Sequence, residues 1–352
     1  MRGIFISLLA AATALTVAGC AGSRPAAAPP QIAQADAKPS PVTGLCKSPD
    51  APPADVAHEP GYQQFNVSVT DSSGRPIPGL TQKDFLLSYV MYAAGPRSVP
   101  VAYFREDKND EPIAIALVVD VSGSMTPKLP IVRQSLGDLV INLNRCDEVI
   151  LYAFNTRTHL LMPFSTDHQM TASKMEQFHA YGQTALFDAT NTALQNLEGA
   201  DYPNRTIILI TDGLDNSSSA TEKEVAAQAT KDGVPIYAVG IGDPIGDRNA
   251  QGNPDLSLGP FLLGGNDEDR VDAESLKDLS AAAGGRSFIV PATGEDGGKS
   301  FKTAVLAIAD NIASGYTIGA VLPDGVAPSA VKMTVAKRLD LDVRAHPIAA
   351  SP

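Results

Sequence analysis

The chain has no tryptophan, and only nine Tyr and eleven Phe among its 352 residues. A stacking platform for bases, or an aromatic cage for a cationic ligand, is not what such a composition builds. Positive charge is also short. The 27 Lys and Arg stand against 39 Asp and Glu, a formal net charge of -12. That balance disfavours nucleic acid and anionic headgroups as partners. It suits a domain that attracts cations or basic partners, or one that simply stays soluble. The five histidines are scattered without ligand spacing, and there are three cysteines. What is present in quantity is apolar: 44% of residues are hydrophobic, enough for a core. The length suggests two or three structural units.

The first twenty residues read as a targeting segment. Arg2 supplies a positive start, and Ile4 to Ala18 is a short apolar stretch. Val17-Ala18-Gly19-Cys20 resembles a bacterial lipobox, in which a Cys is lipidated and becomes the new N-terminus. The apolar run is at the short limit for crossing a bilayer. The expectation is a signal peptide at 1–20, lipidation of Cys20, and a protein lipid-anchored in the bacterial cell envelope. Ala21 follows the Cys, which by resemblance to known lipoproteins implies outer-membrane sorting where two membranes are present. Lipidation leaves Cys46 and Cys146. In an oxidising compartment they can pair in one way, or remain two separate thiols.

Residues 21–60 hold nine prolines among Ala, Ser and Gln, a solvated and fairly stiff tether. A small β-module follows over 61–108. Phe65, Val67 and Val69 alternate with polar residues, and Thr81 is a candidate cap for a turn ending at Asp84-Phe85. Further apolar runs lie at Leu86–Tyr92 and Val99–Phe104. From Pro112 the pattern becomes strand–helix–strand. Ile113–Asp120 is a continuous apolar run, as a strand covered on both faces should be. Leu129–Leu143 has helical spacing, and buried-strand runs recur at Val149–Phe154, Thr206–Thr211 and Pro235–Ile241. Helical stretches are predicted at His168–Tyr181, Ala185–Leu197, Glu222–Lys231, Ala273–Ala283 and Lys299–Ser314. The expected fold class is α/β: a doubly wound, mainly parallel, Rossmann-like sheet over 112–315. Tyr316–Leu322 and the alternation through Val331, Met333, Val335, Leu341 and Val343 predict a C-terminal hairpin over 316–346. It is expected to pack with the N-terminal β-module. The segment Asp243–Asp272 is longer than a connection needs. Its Gly, Asn and Asp content fits a specificity loop, a second cation site or a solvated loop.

Ligands of open α/β sheets bind at the carboxyl ends of the strands, and three motifs fall there. Asp120-Val-Ser122-Gly-Ser124 follows the first strand, and alternate residues of an extended segment point the same way. Gly182-Gln-Thr184 precedes a helix, and Thr211-Asp212-Gly213 ends the TIILIT strand. Together Asp120, Ser122, Ser124, Thr184 and Asp212 offer two carboxylates and three hydroxyls, without thiol or imidazole. Such hard oxygen donors suit Mg²⁺ best, or Mn²⁺ or Ca²⁺, and argue against Zn²⁺ or copper. Hydroxyl-rich coordination leaves the ion under-neutralised, so it draws an anionic oxygen from outside.

DVSGSM, GQT and TDG resemble the metal-ion-dependent adhesion site of von Willebrand factor A domains, with a match at all five positions. The flanks FNVSVTDSSGRPIPGLTQKDF, YTIGAVLPDG and VKMTVAKRLDLDVRAH resemble the bacterial VWFA-related family of acidobacterial type. The resemblance implies that the five side chains bind the ion directly or through water. It implies export and binding rather than a known ligand. With the under-neutralised ion, the expected function is a membrane-anchored module that captures an Asp or Glu of a partner protein, rather than an enzyme. A Mg²⁺-dependent phosphatase of the haloacid dehalogenase type needs a second acid two residues after the first, where position 122 is Ser. A serine hydrolase needs Gly-x-Ser-x-Gly, which VSGSM is not. The remaining rival is a structural envelope protein whose metal only stabilises it.

Overall fold

The computed structural model describes residues 51–348, except 73, 91–94, 108–111, 201, 203, 245–269 and 293. The signal peptide, most of the tether, Cys20 and Cys46 lie outside the described residues, as does most of the 243–272 segment. In chain order, a short helix α1 (Ala54–Ala57) precedes strands β1 (Tyr62–Thr70), β2 (Phe85–Val90), β3 (Pro96–Val99) and β4 (Tyr103–Asp107). The α/β part runs β5 (Ala114–Asp120), α2 (Leu129–Ile141), β6 (Glu148–Phe154), β7 (Thr158–Ser165), α3 (His168–Lys174), α4 (Leu186–Leu197), β8 (Arg205–Thr211), α5 (Glu222–Asp232) and β9 (Ile236–Ile241). It continues through two-residue strands β10 (Asp243–Pro244) and β11 (Arg270–Val271), then α6 (Ala273–Ala283), β12 (Ser287–Val290) and α7 (Gly294–Ile312). Strands β13 (Gly315–Val321), β14 (Val331–Val335) and β15 (Asp342–Pro347) follow.

The main sheet has the order β12-β9-β8-β5-β6-β7. All its pairs are parallel except β6–β7, where β7 is an antiparallel edge. β5 lies near the centre, and all seven of its residues are buried. Its two faces feed separate cores. Ile115, Leu117 and Val119 pack with α2 and α7, while Ala114, Ala116 and Val118 pack with α4, α5 and α6. A strand covered on both sides has no solvated face, which is why its sequence does not alternate.

The flanking strands build a two-sheet sandwich, β15-β1-β13-β4 against β14-β2-β3. Phe65, Val67, Val69, Phe85, Leu87, Tyr89, Ile318 and Met333 share its core. Phe85 and Tyr316 meet edge-on across the sheets, with ring centroids 5.1 Å apart. At the sheet boundary the Thr81 N–H and hydroxyl both donate to Asp84 Oδ2 at 2.7 Å. Here the structure departs from the hairpin expected over 316–346. Three strands form, not two, and β13 and β14 enter different sheets. The Val99–Phe104 run likewise splits at Pro100, with β3 and β4 in opposite sheets. Proline cannot donate to a ladder, so the chain changes sheet there. The predicted helix His168–Tyr181 stops at Lys174, because Phe178 leaves the helical path to sit fully buried in the core. α7 begins at Gly294, one turn earlier than Lys299.

The sandwich is clamped to the amino end of the parallel strands. Arg286 donates to Thr70 Oγ1 at 2.8 Å and to Asp342 Oδ2 at 3.2 Å, and Arg344 donates to the Gly285 carbonyl. Gly285 has no room for a side chain, since a Cβ would run into the Ile236 carbonyl. Gly285→Ala is therefore expected to cost about 3 kcal/mol in denaturant unfolding. Divalent-ion affinity should not change, because the substitution sits at the far pole from the site described next.

Candidate metal centre

β5 and β8 are adjacent and in register, with Val119 opposite Ile210. Their last residues, Asp120 and Thr211, therefore emerge side by side at the carboxyl rim. The Thr211 hydroxyl donates to Asp120 Oδ2 at 2.7 Å, and the Ser122 N–H donates to Oδ1 at 2.7 Å. These two bonds fix the Asp120 carboxylate. Beyond it, Gly123–Met125 makes one 3₁₀ turn. That turn brings Ser122 Oγ to 3.2 Å from Ser124 Oγ, and the Ser124 hydroxyl donates to Asp212 Oδ1 at 2.8 Å.

The Thr184 loop is stitched to the same turn. Gly123 donates to the Gly182 carbonyl at 3.1 Å, and Tyr181 donates to the Val121 carbonyl at 2.9 Å. Gly182 takes φ +80°, a conformation that favours glycine. The Thr184 N–H donates to Asn216 Oδ1 at 2.9 Å, which ties this loop to the segment after Asp212. The Thr184 hydroxyl lies over Gly213, where an added Cβ would approach its Oγ1 to 3.2 Å. All five residues singled out from the sequence thus meet at one rim. Asp120, Ser122, Thr184 and Asp212 are buried, and Ser124 is half-buried at the mouth.

The donor spacing suits a small octahedral cation. Neighbouring ligands of an ion with oxygens at about 2.0–2.1 Å sit about 2.9 Å apart. The Ser122–Ser124 and Ser124–Asp212 separations of 3.2 and 2.8 Å bracket that value. Among the described residues no group of three or more His, Cys, Asp or Glu side chains is placed to hold a metal. The set here has only two carboxylates, and its other donors are hydroxyls. Burial, and then the nearby Asp212 carboxylate, push Asp120 up to about 7, against the hydrogen bonds from Thr211 and Ser122. Burial raises Asp212 as well, opposed chiefly by Lys128. Two carboxylates held in this state gain from a nearby cation.

Lys128 is the functional residue that sequence reasoning missed. Its Nζ donates to Asp212 Oδ2 at 2.7 Å, with both side chains buried. The available signal was a lysine at the N-cap of α2, where the helix dipole disfavours positive charge.

Cys146 is disulfide-bonded, and its partner lies outside the described residues, as both Cys20 and Cys46 do. Cys146 precedes β6, at the opposite pole from the rim. β10 and β11 pair in parallel at the base of the 243–272 segment.

The order of the main sheet defines a doubly wound α/β domain, with a cluster of oxygen-bearing side chains at the carboxyl ends of its central strands. The chain belongs to the von Willebrand factor type A domain family, whose model matches residues 114–303. Members of this family bind protein partners through metal-ion-dependent adhesion sites. An uncharacterized protein of Borreliella burgdorferi is 26% identical over 138 residues, 36% of this chain and 40% of that protein. The matched region thus spans less than half the length of that curated relative. BatB, a conserved hypothetical protein of Bacteroides thetaiotaomicron, is 20% identical over 56% of this chain and 98% of that chain, with TM-score 0.41. Proximal thread matrix protein 1 from the mussel byssus, solved with zinc in its MIDAS motif, is 14% identical. It covers 61% of this chain and 48% of its own, with TM-score 0.44.

Proposed function

We propose that this protein is a binding module that grips a partner protein through a divalent cation. Asp120, Ser122, Ser124, Thr184 and Asp212 would hold the ion, with Mg²⁺ the best fit to hard oxygen donors. An ion with so many neutral ligands attracts a carboxylate, so the captured group is an Asp or Glu of the partner. The observation that carries this reading is the unbroken chain of contacts from Asp120 through Ser122 and Ser124 to Asp212. The role is binding and not catalysis, because Ser122 stands where phosphatase chemistry would need a second acid.

Cys20 anchors the module in the cell envelope, at the outer membrane where there are two, and residues 21–60 lift it from the surface. Cys46 is the partner we assign to Cys146. That bond would tie the end of the tether to the amino pole of the sheet. Crosslinking in intact cells, wild type against Asp120→Ala, tests the proposal. A neighbour captured by wild type and lost in the variant supports it. An identical set of neighbours removes the ion from the binding mechanism and leaves a purely stabilising metal.

A further inference from the structure

Lys128 sits where a lysine is costly. It is 1% exposed, it heads the amino end of α2, and its ammonium lies against an Asp212 carboxylate that is itself 0% exposed. Burying an ammonium is unfavourable unless it is paired, and a helix N-terminus repels it. The pairing also divides the work of Asp212. Oδ2 accepts from Lys128, and Oδ1 accepts from the Ser124 hydroxyl.

Charge arithmetic gives this arrangement a consequence. Taken by themselves, Asp120 and Asp212 bring two negative charges and Lys128 one positive, a sum of −1 over these three side chains. A divalent ion then brings the three to +1, whereas without the lysine they would be neutral. We propose that Lys128 is a built-in cation that weakens divalent-ion binding in order to keep the loaded site positive, and so selects a singly charged carboxylate as the captured group. This rests on the reading that the five oxygens hold a divalent ion. Lys128 acts as a positioning and charge-setting residue and does not itself touch the partner.

The test uses the full chain with Mn²⁺ as the ion and acetate as the carboxylate probe. Lys128→Gln still offers Asp212 Oδ2 a donor but removes the charge, Lys128→Met removes both, and Lys128→Arg keeps the charge. Mn²⁺ affinity is read by calorimetry, and acetate binding by its effect on water-proton relaxation at the bound Mn²⁺. Lys128→Gln is expected to bind Mn²⁺ at least about tenfold tighter and acetate at least about tenfold weaker, with Lys128→Met following it and Lys128→Arg near wild type. Unchanged or weaker Mn²⁺ binding in a Lys128→Gln protein that melts cooperatively overturns this inference alone. If wild type takes up no Mn²⁺, the divalent-site reading fails and the inference falls with it. Should Lys128→Met not fold, Lys128→Gln against Lys128→Arg still decides, because both keep a donor on Asp212.

Discussion

Asp120→Ala is expected to abolish the thermal stabilisation that Mg²⁺ should give the wild-type protein. A ligand that binds only the folded state, present at about 100 times its dissociation constant, stabilises by about 2.7 kcal/mol, or about 5 °C for a chain of this size. Asp120 is the residue whose loss removes most of this. Its carboxylate is fixed by Thr211 and Ser122 and has no solvent exposure, so no neighbouring acid swings in to replace it. Melting curves in EDTA and in excess Mg²⁺ should differ by several degrees for wild type and coincide for the variant. A full shift in Asp120→Ala would place the ion elsewhere.

The contribution of Asp120 to the stability of the metal-free protein is expected to be lost as pH rises from about 4 to about 7, and Mg²⁺ is expected to remove much of that loss. In the unfolded chain Asp120 ionises in the ordinary carboxylate range, while in the folded protein burial and Asp212 raise it to about 7. Folding therefore favours the protonated acid. That contribution is complete below the unfolded value and is lost as pH climbs through the folded one, on the order of 4 kcal/mol. A bound divalent ion favours the carboxylate and competes with the proton, so its affinity rises over the same window. Asp147, pushed up to about 7 by burial, adds a similar fall. It lies at the opposite pole, so it contributes equally with and without metal. The difference between chemical denaturation in Mg²⁺ and in EDTA isolates the rim, and should widen from pH 4 to 7 and then level off. Asp120→Asn should flatten that difference. A wild-type difference that does not vary with pH would contradict the assignment of Asp120.

Much of the α/β part was legible because burial on both faces writes continuous apolar runs. β5, β8 and β9 end within a residue or so of where their sequence patterns end. The rim cluster was legible because its members sit in short local motifs whose spacing reflects backbone geometry. The sandwich was harder. β14 and β13 are neighbours in sequence, and alternation reports which face of a strand is buried but not which sheet it joins. The role of Lys128 was hard to read for a related reason, although its place at the start of α2 was a signal. Its partner Asp212 is 84 residues away, and only the tertiary fold brings an ammonium from the start of α2 to the end of β8. Thr211 stands in the TDG motif, but its donation to Asp120 Oδ2, across 91 residues of chain, shows only once β5 and β8 lie side by side.

The most direct check is a crystal of the protein grown with Mn²⁺, with its anomalous difference map. One peak is expected among Asp120, Ser122, Ser124, Thr184 and Asp212, within coordination distance of hydroxyl oxygens as well as carboxylates, directly or through water. A peak elsewhere with those five side chains bare, or no peak from Mn²⁺-saturated protein, would contradict it.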